Sequence, residues 1–161
     1  MTEPLAHGMF TLERRYDASP TRVFAAWSDP VAFTRWFVES PGAEIFDWDH
    51  DFRIGGRGGG RYRFGGEANP VGFNETVFVD LIENDRIVLA YVMGRELDGA
   101  RRRDSASLVT VELFPDGDGT RLIYVEQGAY YGDDGGAHVP LRKEGCAQML
   151  ENLARELETN P

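Results

Sequence analysis

Six strand-like segments follow one another between residues 43 and 129 with no helical pattern between them, and this run restricts the possible folds more than any other feature of the sequence. The segments cover residues 43–54, 59–65, 71–82, 86–93, 105–114 and 120–129. The breaks between them, such as Glu83-Asn84-Asp85 and the stretch 115–119, contain the residues that tight turns require. A succession of strands joined by turns predicts an antiparallel meander.

The segments on either side of this run complete the expected order. Residues 10–16 alternate with period two and predict a first strand. Ser19-Pro20 and Asp29-Pro30 each combine an N-cap with a first-turn proline, which predicts two short helices. A long helix is predicted from Pro140 onward, because an apolar stripe at helical spacing contains Cys146, Met149, Leu150, Leu153 and Leu157. We therefore expect a single domain over residues 1–161, with flexible tails at 1–7 and 159–161.

Charge and cysteine content narrow the expected partners and location. Seventeen basic and 27 acidic residues give a formal net charge of -10, which repels phosphate backbones, so we expect no nucleic acid partner. The basic cluster at 101–103 is interpreted as a solvated hairpin loop. The single cysteine and the lack of a run of 18 apolar residues predict a cytoplasmic protein that does not insert into membranes. An exposed edge strand could support a homodimer.

Motifs that would indicate a cofactor, a metal or a nucleophile are missing from the sequence. The glycine run 55–60 lacks a phosphate-loop ending and is interpreted as a bulged or flexible hairpin turn. The alternating acids of 47–51 resemble the start of a calcium loop, but Phe52 and Gly58 stand where glycine and glutamate are needed. The three histidines occur singly, and no nucleophile elbow is present. We expect no metal and no cofactor.

Several polar side chains fall on apolar faces of the predicted elements. Period-two alternation places Glu75, Tyr91 and Glu126 among apolar neighbours on their strands, and similar arguments add Arg14 and Arg142. Buried charges need partners. The groups could form an internal ion-pair network, or they could line a cavity and orient the polar end of an apolar ligand. The sequence leaves both interpretations open.

Short motifs that occur in one order span nearly the whole chain: Tyr16-Asp17-Ala18-Ser19-Pro20 with Trp36-Phe37, Phe52-Arg53-x-Gly55-Gly56, Gly119-Thr120-Arg121-Leu122, Glu126-Gln127-Gly128, and Arg142-x-x-Gly145. They resemble the SRPBCC, or START-like, superfamily, in the branch named after heat-shock-protein ATPase activator homologues and polyketide-cyclase-like proteins. The resemblance implies an α+β helix-grip fold. In this fold a curved antiparallel sheet of about seven strands wraps around a long C-terminal helix, two short helices follow the first strand, and an apolar cavity lies between sheet and helix.

Two glycine-containing segments would border that cavity. Gly145 lies inside the last helix, where glycine costs about 1 kcal/mol relative to alanine, so we expect either close backbone packing or room for a ligand. Tyr130 and Tyr131 would lie at the cavity mouth, with residues 132–136 as a flexible lid. The alternative for this segment is a simple polar connection.

Function carries over from the resemblance less directly than the fold does. We expect a protein that binds an apolar or aromatic small molecule rather than an enzyme. The first alternative is a cofactor-independent cyclase or hydrolase that uses Glu75 or Glu126 as a base and Arg14 or Arg142 to stabilise an oxyanion. The second is a protein-interaction module. The candidate ligand-binding residues are Arg14, Trp27, Phe37, Trp48, Tyr62, Phe64, Glu75, Tyr91, Tyr124, Glu126, Tyr130, Arg142, Gly145, Cys146 and Met149.

Overall fold

A computed structural model describes residues 2–161 and contains one seven-stranded sheet and three α-helices within that range. Helix α2 continues into one π-helical turn, Thr34–Val38. The elements, in chain order, are β1 (Leu5–Tyr16), α1 (Pro20–Ser28), α2 (Pro30–Phe33), β2 (Ala43–His50), β3 (Arg57–Phe64), β4 (Gly72–Ile82), β5 (Arg86–Leu97), β6 (Ala100–Asp116), β7 (Gly119–Tyr131) and α3 (Gly135–Thr159).

The sheet is an antiparallel meander that β1 completes by pairing with the last strand. Its strand order is β1-β7-β6-β5-β4-β3-β2, so that β1 and β2 form the edges. The register shifts at Ile45/Asp47, Phe78/Asp80 and Met93/Gly94. Such bulges increase the local twist and bend the strands, and the sheet is open and curved. The predicted helix-grip fold is confirmed.

The two short helices begin at the caps that the sequence predicted. The Ser19 hydroxyl accepts a hydrogen bond from the Arg22 amide, and Asp29 Oδ1 accepts from the amides of Val31 and Ala32. The aromatic side chains of these helices pack on one another, and the Trp36 indole N–H donates to the carbonyl of Ala26 over 2.8 Å. This aromatic cluster therefore connects α1 to the π-helical turn.

Helix α3 packs against one half of the sheet. It contacts β1, β7, α1 and the π-helical turn, and it buries Leu150, Leu153 and Leu157 there. The Tyr16 hydroxyl donates to the Leu150 carbonyl over 2.9 Å, which ties β1 to the helix. Because the helix leans towards β1 and β7, space remains between it and strands β2 to β5.

The structure corrects several predicted boundaries. Strand β1 begins at Leu5, inside the expected tail, because residues 5–7 pair with 129–131 of β7. Residues 101–103 belong to β6 and pair with β5, so the interpretation of this basic cluster as a hairpin loop was wrong. Helix α3 begins at Gly135, which leaves only residues 132–134 between β7 and the helix. Within residues 2–161, no helix is long and apolar enough to cross a membrane.

Candidate ligand cavity

A cavity of about 800 Å³ lies between α3 and the inner face of strands β2 to β5. Its walls are mainly aromatic, with Trp27, Phe33, Phe37, Trp48, Phe52 and Phe78 contributing rings. The rings support one another, since Phe33 stacks on Phe37 with centroids 4.6 Å apart and on His50 with centroids 4.2 Å apart. This wall is suited to flat apolar surfaces.

The glycines of β3 explain part of the open volume. Gly58 pairs with His50 of β2 and with Thr76 of β4, and Thr76 pairs in turn with Tyr91 of β5. Directly paired residues share one face of a sheet, so a glycine in this row leaves empty the space that a side chain would occupy. The interpretation of this glycine run as a hairpin turn was therefore wrong for residues 58–60, which form strand.

Helix α3 supplies the opposite wall, where Gly145 adds further room. A Cβ atom at Gly145 would meet no atom within 4 Å, apart from its own helix backbone and chain neighbours. The close-packing explanation for this glycine was therefore wrong. The adjacent lining residues Leu141, Cys146 and Met149 continue the same wall.

One end of the cavity carries a cluster of polar groups centred on Arg142. Arg142 Nη1 donates to the Tyr91 hydroxyl over 2.7 Å and to Glu126 Oε1 over 3.2 Å, while Nη2 donates to the Ser105 hydroxyl over 2.8 Å. The Arg142 guanidinium also lies 5.5 Å from the ring centroids of Tyr91 and Tyr130. Sheet and helix are therefore connected at this end through a buried ion pair.

Glu126 is the buried anion of this cluster, and all of its acceptor capacity is used. Oε1 accepts from Tyr91 over 2.6 Å as well as from Arg142, and Oε2 accepts from Tyr124 over 2.8 Å and from the Cys146 thiol over 3.4 Å. A carboxylate offers about four lone-pair sites, so none remains for a ligand. Glu126 is 0% exposed and does not line the cavity, and its assignment as a general base is therefore unsupported.

Burial favours the neutral forms of several tyrosines, of Cys146 and of His50 around the cavity. It raises the pKa of Tyr91 and Tyr124 well above the usual tyrosine value, with the charge of Glu126 adding to the effect. It also raises the pKa of Cys146 and of Tyr62 to about 12 in each case. Burial lowers the pKa of His50, whose Nε2 donates to the Trp27 carbonyl over 2.8 Å. At neutral pH the hydroxyls and the thiol therefore serve as hydrogen-bond donors.

The candidate residues line the cavity with four exceptions: Arg14, Glu75, Glu126 and Tyr130. Arg14 lies on the inner face, as predicted, but its Nε pairs with Glu151 of α3 at 3.2 Å, away from the cavity. Tyr130 is 1% exposed and lies beside Arg142 rather than at a mouth. The segment 132–134 is too short to form a lid. We therefore interpret it as a simple connection between β7 and α3.

The placement of Glu75 on the inner face was wrong. Its Oε1 accepts a hydrogen bond from Arg101 over 2.6 Å on the outer face of the sheet. Unbroken alternation along β4 would have placed it inside, but the bulge between Phe78 and Asp80 reverses the alternation. In the part of β4 that precedes the bulge, the inner face carries Asn74, Thr76 and Phe78. These three residues were missed from the sequence for the same reason.

Within residues 2–161, no group of three or more histidine, cysteine, aspartate or glutamate side chains is arranged to hold a metal ion. The groups that the lining residues present to the cavity include aromatic rings, hydroxyls and the Arg142 guanidinium.

The sequence and the fold are both similar to those of known proteins. A family model described as Activator of Hsp90 ATPase homolog 1-like protein matches residues 17–158. The crystal structure of Mll3558 from Rhizobium loti is 41% identical, with 95% of this chain and 99% of that chain covered and a TM-score of 0.83. A protein of known structure from Rhizobium leguminosarum is 30% identical, with 99% and 100% covered and a TM-score of 0.86.

A more distant structure shares the fold alone. DynU16, from the dynemicin biosynthetic locus, is 17% identical, with 94% of this chain and 47% of that chain covered and a TM-score of 0.64. No protein with a curated description matches the sequence.

Proposed function

This chain belongs to the family of Activator of Hsp90 ATPase homolog 1-like proteins, within the SRPBCC superfamily, and we propose that it binds an apolar or aromatic small molecule in the cavity between the sheet and α3. The observation that carries the proposal is the cavity of about 800 Å³, which has aromatic walls and one polar end. Ligand sites in proteins combine a mostly apolar enclosure with a few polar groups that orient the ligand.

The size of the apolar enclosure supports measurable affinity. A ligand with two fused aromatic rings that buries about 200 Å² of apolar surface would gain about 5 kcal/mol at 25 cal/mol per Å². Part of this gain is offset by lost translational and rotational freedom. The volume of about 800 Å³ also leaves room for larger ring systems.

The two alternatives have less support. Neither carboxylate predicted as a general base is available, because Glu126 is saturated and Glu75 lies on the outer face. The fold shared with DynU16 is compatible with a cyclase-like enzyme but assigns no reaction. The family's description names an activator of a chaperone ATPase, so a protein-interaction role is the remaining alternative. The next experiment tests it.

We expect Nile red, an uncharged environment-sensitive dye, to bind the native protein with one-to-one stoichiometry and increased fluorescence. The unfolded protein in urea serves as the control for surface adsorption. Mass spectrometry of small molecules released from the freshly purified protein, followed by displacement of the dye with the compound found, would identify the ligand. Native protein that binds no dye would contradict the proposal and favour the interaction module.

A further inference from the structure

The polar end of the cavity carries no net charge. Arg142 and Glu126 lie 3.2 Å apart, and their side chains are 17% and 0% exposed. Among the described lining residues none is an aspartate or a glutamate. The other lining arginine, Arg155, is exposed and lies 13 residues along α3 from Arg142, about 20 Å at 1.5 Å per residue. One positive and one negative group thus define the electrostatics of the buried end.

Two side chains at this end of the cavity keep a hydrogen-bond donor that no described protein group accepts. Glu126 is saturated by four donors, and the Tyr91 proton is already given to it. Within residues 2–161, the Tyr62 hydroxyl and the Arg142 Nε–H make no hydrogen bond, and both side chains line the cavity. The pKa of Tyr62, raised to about 12 by burial, keeps its proton in place. The free donors at this end therefore favour a ligand group that accepts hydrogen bonds.

We propose that this end of the cavity selects an uncharged ligand oxygen, such as that of a phenol, alcohol, ketone or ester, and rejects both carboxylates and ammonium groups. The inference rests on the proposed function. Glu126 already neutralises the positive charge of Arg142. A ligand carboxylate would therefore bring an uncompensated negative charge into this buried cluster, which is costly. An ammonium group would find no free carboxylate. Glu126 is thus the residue that sets charge preference, although it does not line the cavity.

A matched set of naphthalene probes tests this selection by displacement of Nile red at pH 7. The set is naphthalene, 2-naphthol, methyl 2-naphthoate, 2-naphthoate and 2-naphthylmethylammonium. We expect 2-naphthol and methyl 2-naphthoate to bind at least tenfold more tightly than either charged probe. The titrations are repeated at high salt, because the formal net charge of -10 also repels anions at long range and salt screens that effect.

Variants separate the local cluster from the overall charge. Glu126→Gln removes the negative charge with little change of shape, so the ratio of 2-naphthoate to 2-naphthol affinity should rise at least tenfold. Glu75→Gln makes the same chemical change on the outer face, where Glu75 pairs with Arg101, and should leave the ratio unchanged. Tyr62→Phe removes one of the two free donors and should weaken 2-naphthol several-fold while leaving naphthalene unaffected. The Tyr62 variant keeps the test decisive if Glu126→Gln does not fold.

The outcomes distinguish this inference from the proposed function. Equal binding of 2-naphthol and 2-naphthoate to the wild-type protein, with Nile red bound, would overturn the charge selection and leave the cavity as an apolar binding site. An equal rise of the affinity ratio in Glu75→Gln and Glu126→Gln would assign the preference to net charge and overturn the role of Glu126. Failure of Nile red and naphthalene to bind at all would overturn the proposed function itself.

Discussion

At the scale of single residues, Gly145 is a position of α3 that lines the cavity. Glycine within a helix costs about 1 kcal/mol relative to alanine. A Cβ atom at this position would have no neighbouring atom within 4 Å, so packing does not require the glycine. What the residue provides is volume, since Gly145 lines the cavity beside Arg142 and Cys146. The helix therefore gives up local stability where the ligand is proposed to lie.

Replacing Gly145 with leucine should keep the fold stable and abolish binding. The new side chain gains up to about 1 kcal/mol of helix propensity and enters open space, so the melting temperature should stay near the wild-type value. Nile red affinity should fall by tenfold or more, about 1.4 kcal/mol. Gly136→Leu is the matched control, because Gly136 also lies in α3 with no atom within 4 Å but does not line the cavity. A stable Gly145→Leu variant with full binding would show that this side chain points into solvent.

The accuracy of residue placement from sequence depended on whether a strand was regular. Tyr91 and Glu126 were placed correctly because β7 pairs without a register shift, and because the extra residue where β5 pairs with β6 is Asp104 of β6. Glu75 was misplaced because the shift in β4 lies at Phe78/Asp80, within the pattern used to assign its face. Period-two arguments hold only up to the nearest bulge, because the extra residue moves the side chains beyond it to the opposite face.

At the scale of elements, β3 and α3 show how tertiary contacts override local propensity. Three glycines lie in β3 although glycine weakens strands, because their neighbours leave no room for side chains or because the cavity requires space. Helix α3 extends five residues before Pro140, although proline favours a first turn. Val139 packs directly over Gly8 of β1, which holds this early turn on the sheet. The sequence predicted the order of the elements, whereas these boundaries required the packed structure.

Alanine substitutions at Gly58 and Gly60 should have opposite effects on stability. A Cβ at Gly58 would make ordinary contacts of 3.4 to 3.6 Å with Asp49 and Phe78, so Gly58→Ala should be neutral or stabilising by up to about 1 kcal/mol. A Cβ at Gly60 would lie 2.0 Å from the Asp47 carbonyl oxygen, so Gly60→Ala should cost about 2 to 3 kcal/mol. Urea unfolding measures both. Equal stabilities for the two variants would show that the β2–β3 pairing can relax around residue 60.

At the scale of the whole molecule, the core is divided unevenly between the two halves of the sheet. Leucines of α3 fill the space over β1 and β7, whereas over β2 to β5 the aromatic rings surround an open volume. A ligand there would contact the helix, the sheet and the two short helices at once. Binding should therefore be linked to global unfolding rather than to the order of a single loop, since the connection at 132–134 is short.

A bound ligand should raise the stability of the entire fold in proportion to its affinity. At a free ligand concentration 100 times the dissociation constant, the linkage relation gives about 2.7 kcal/mol, which for a domain of this size corresponds to roughly 5 to 10 °C in melting temperature. Differential scanning calorimetry with increasing 2-naphthol measures this shift, and the Gly145→Leu variant, with its cavity filled, should show almost none. If dye and probe bind stoichiometrically while the melting temperature stays constant, the site lies on a surface that unfolding does not disrupt, and the cavity is not where they bind.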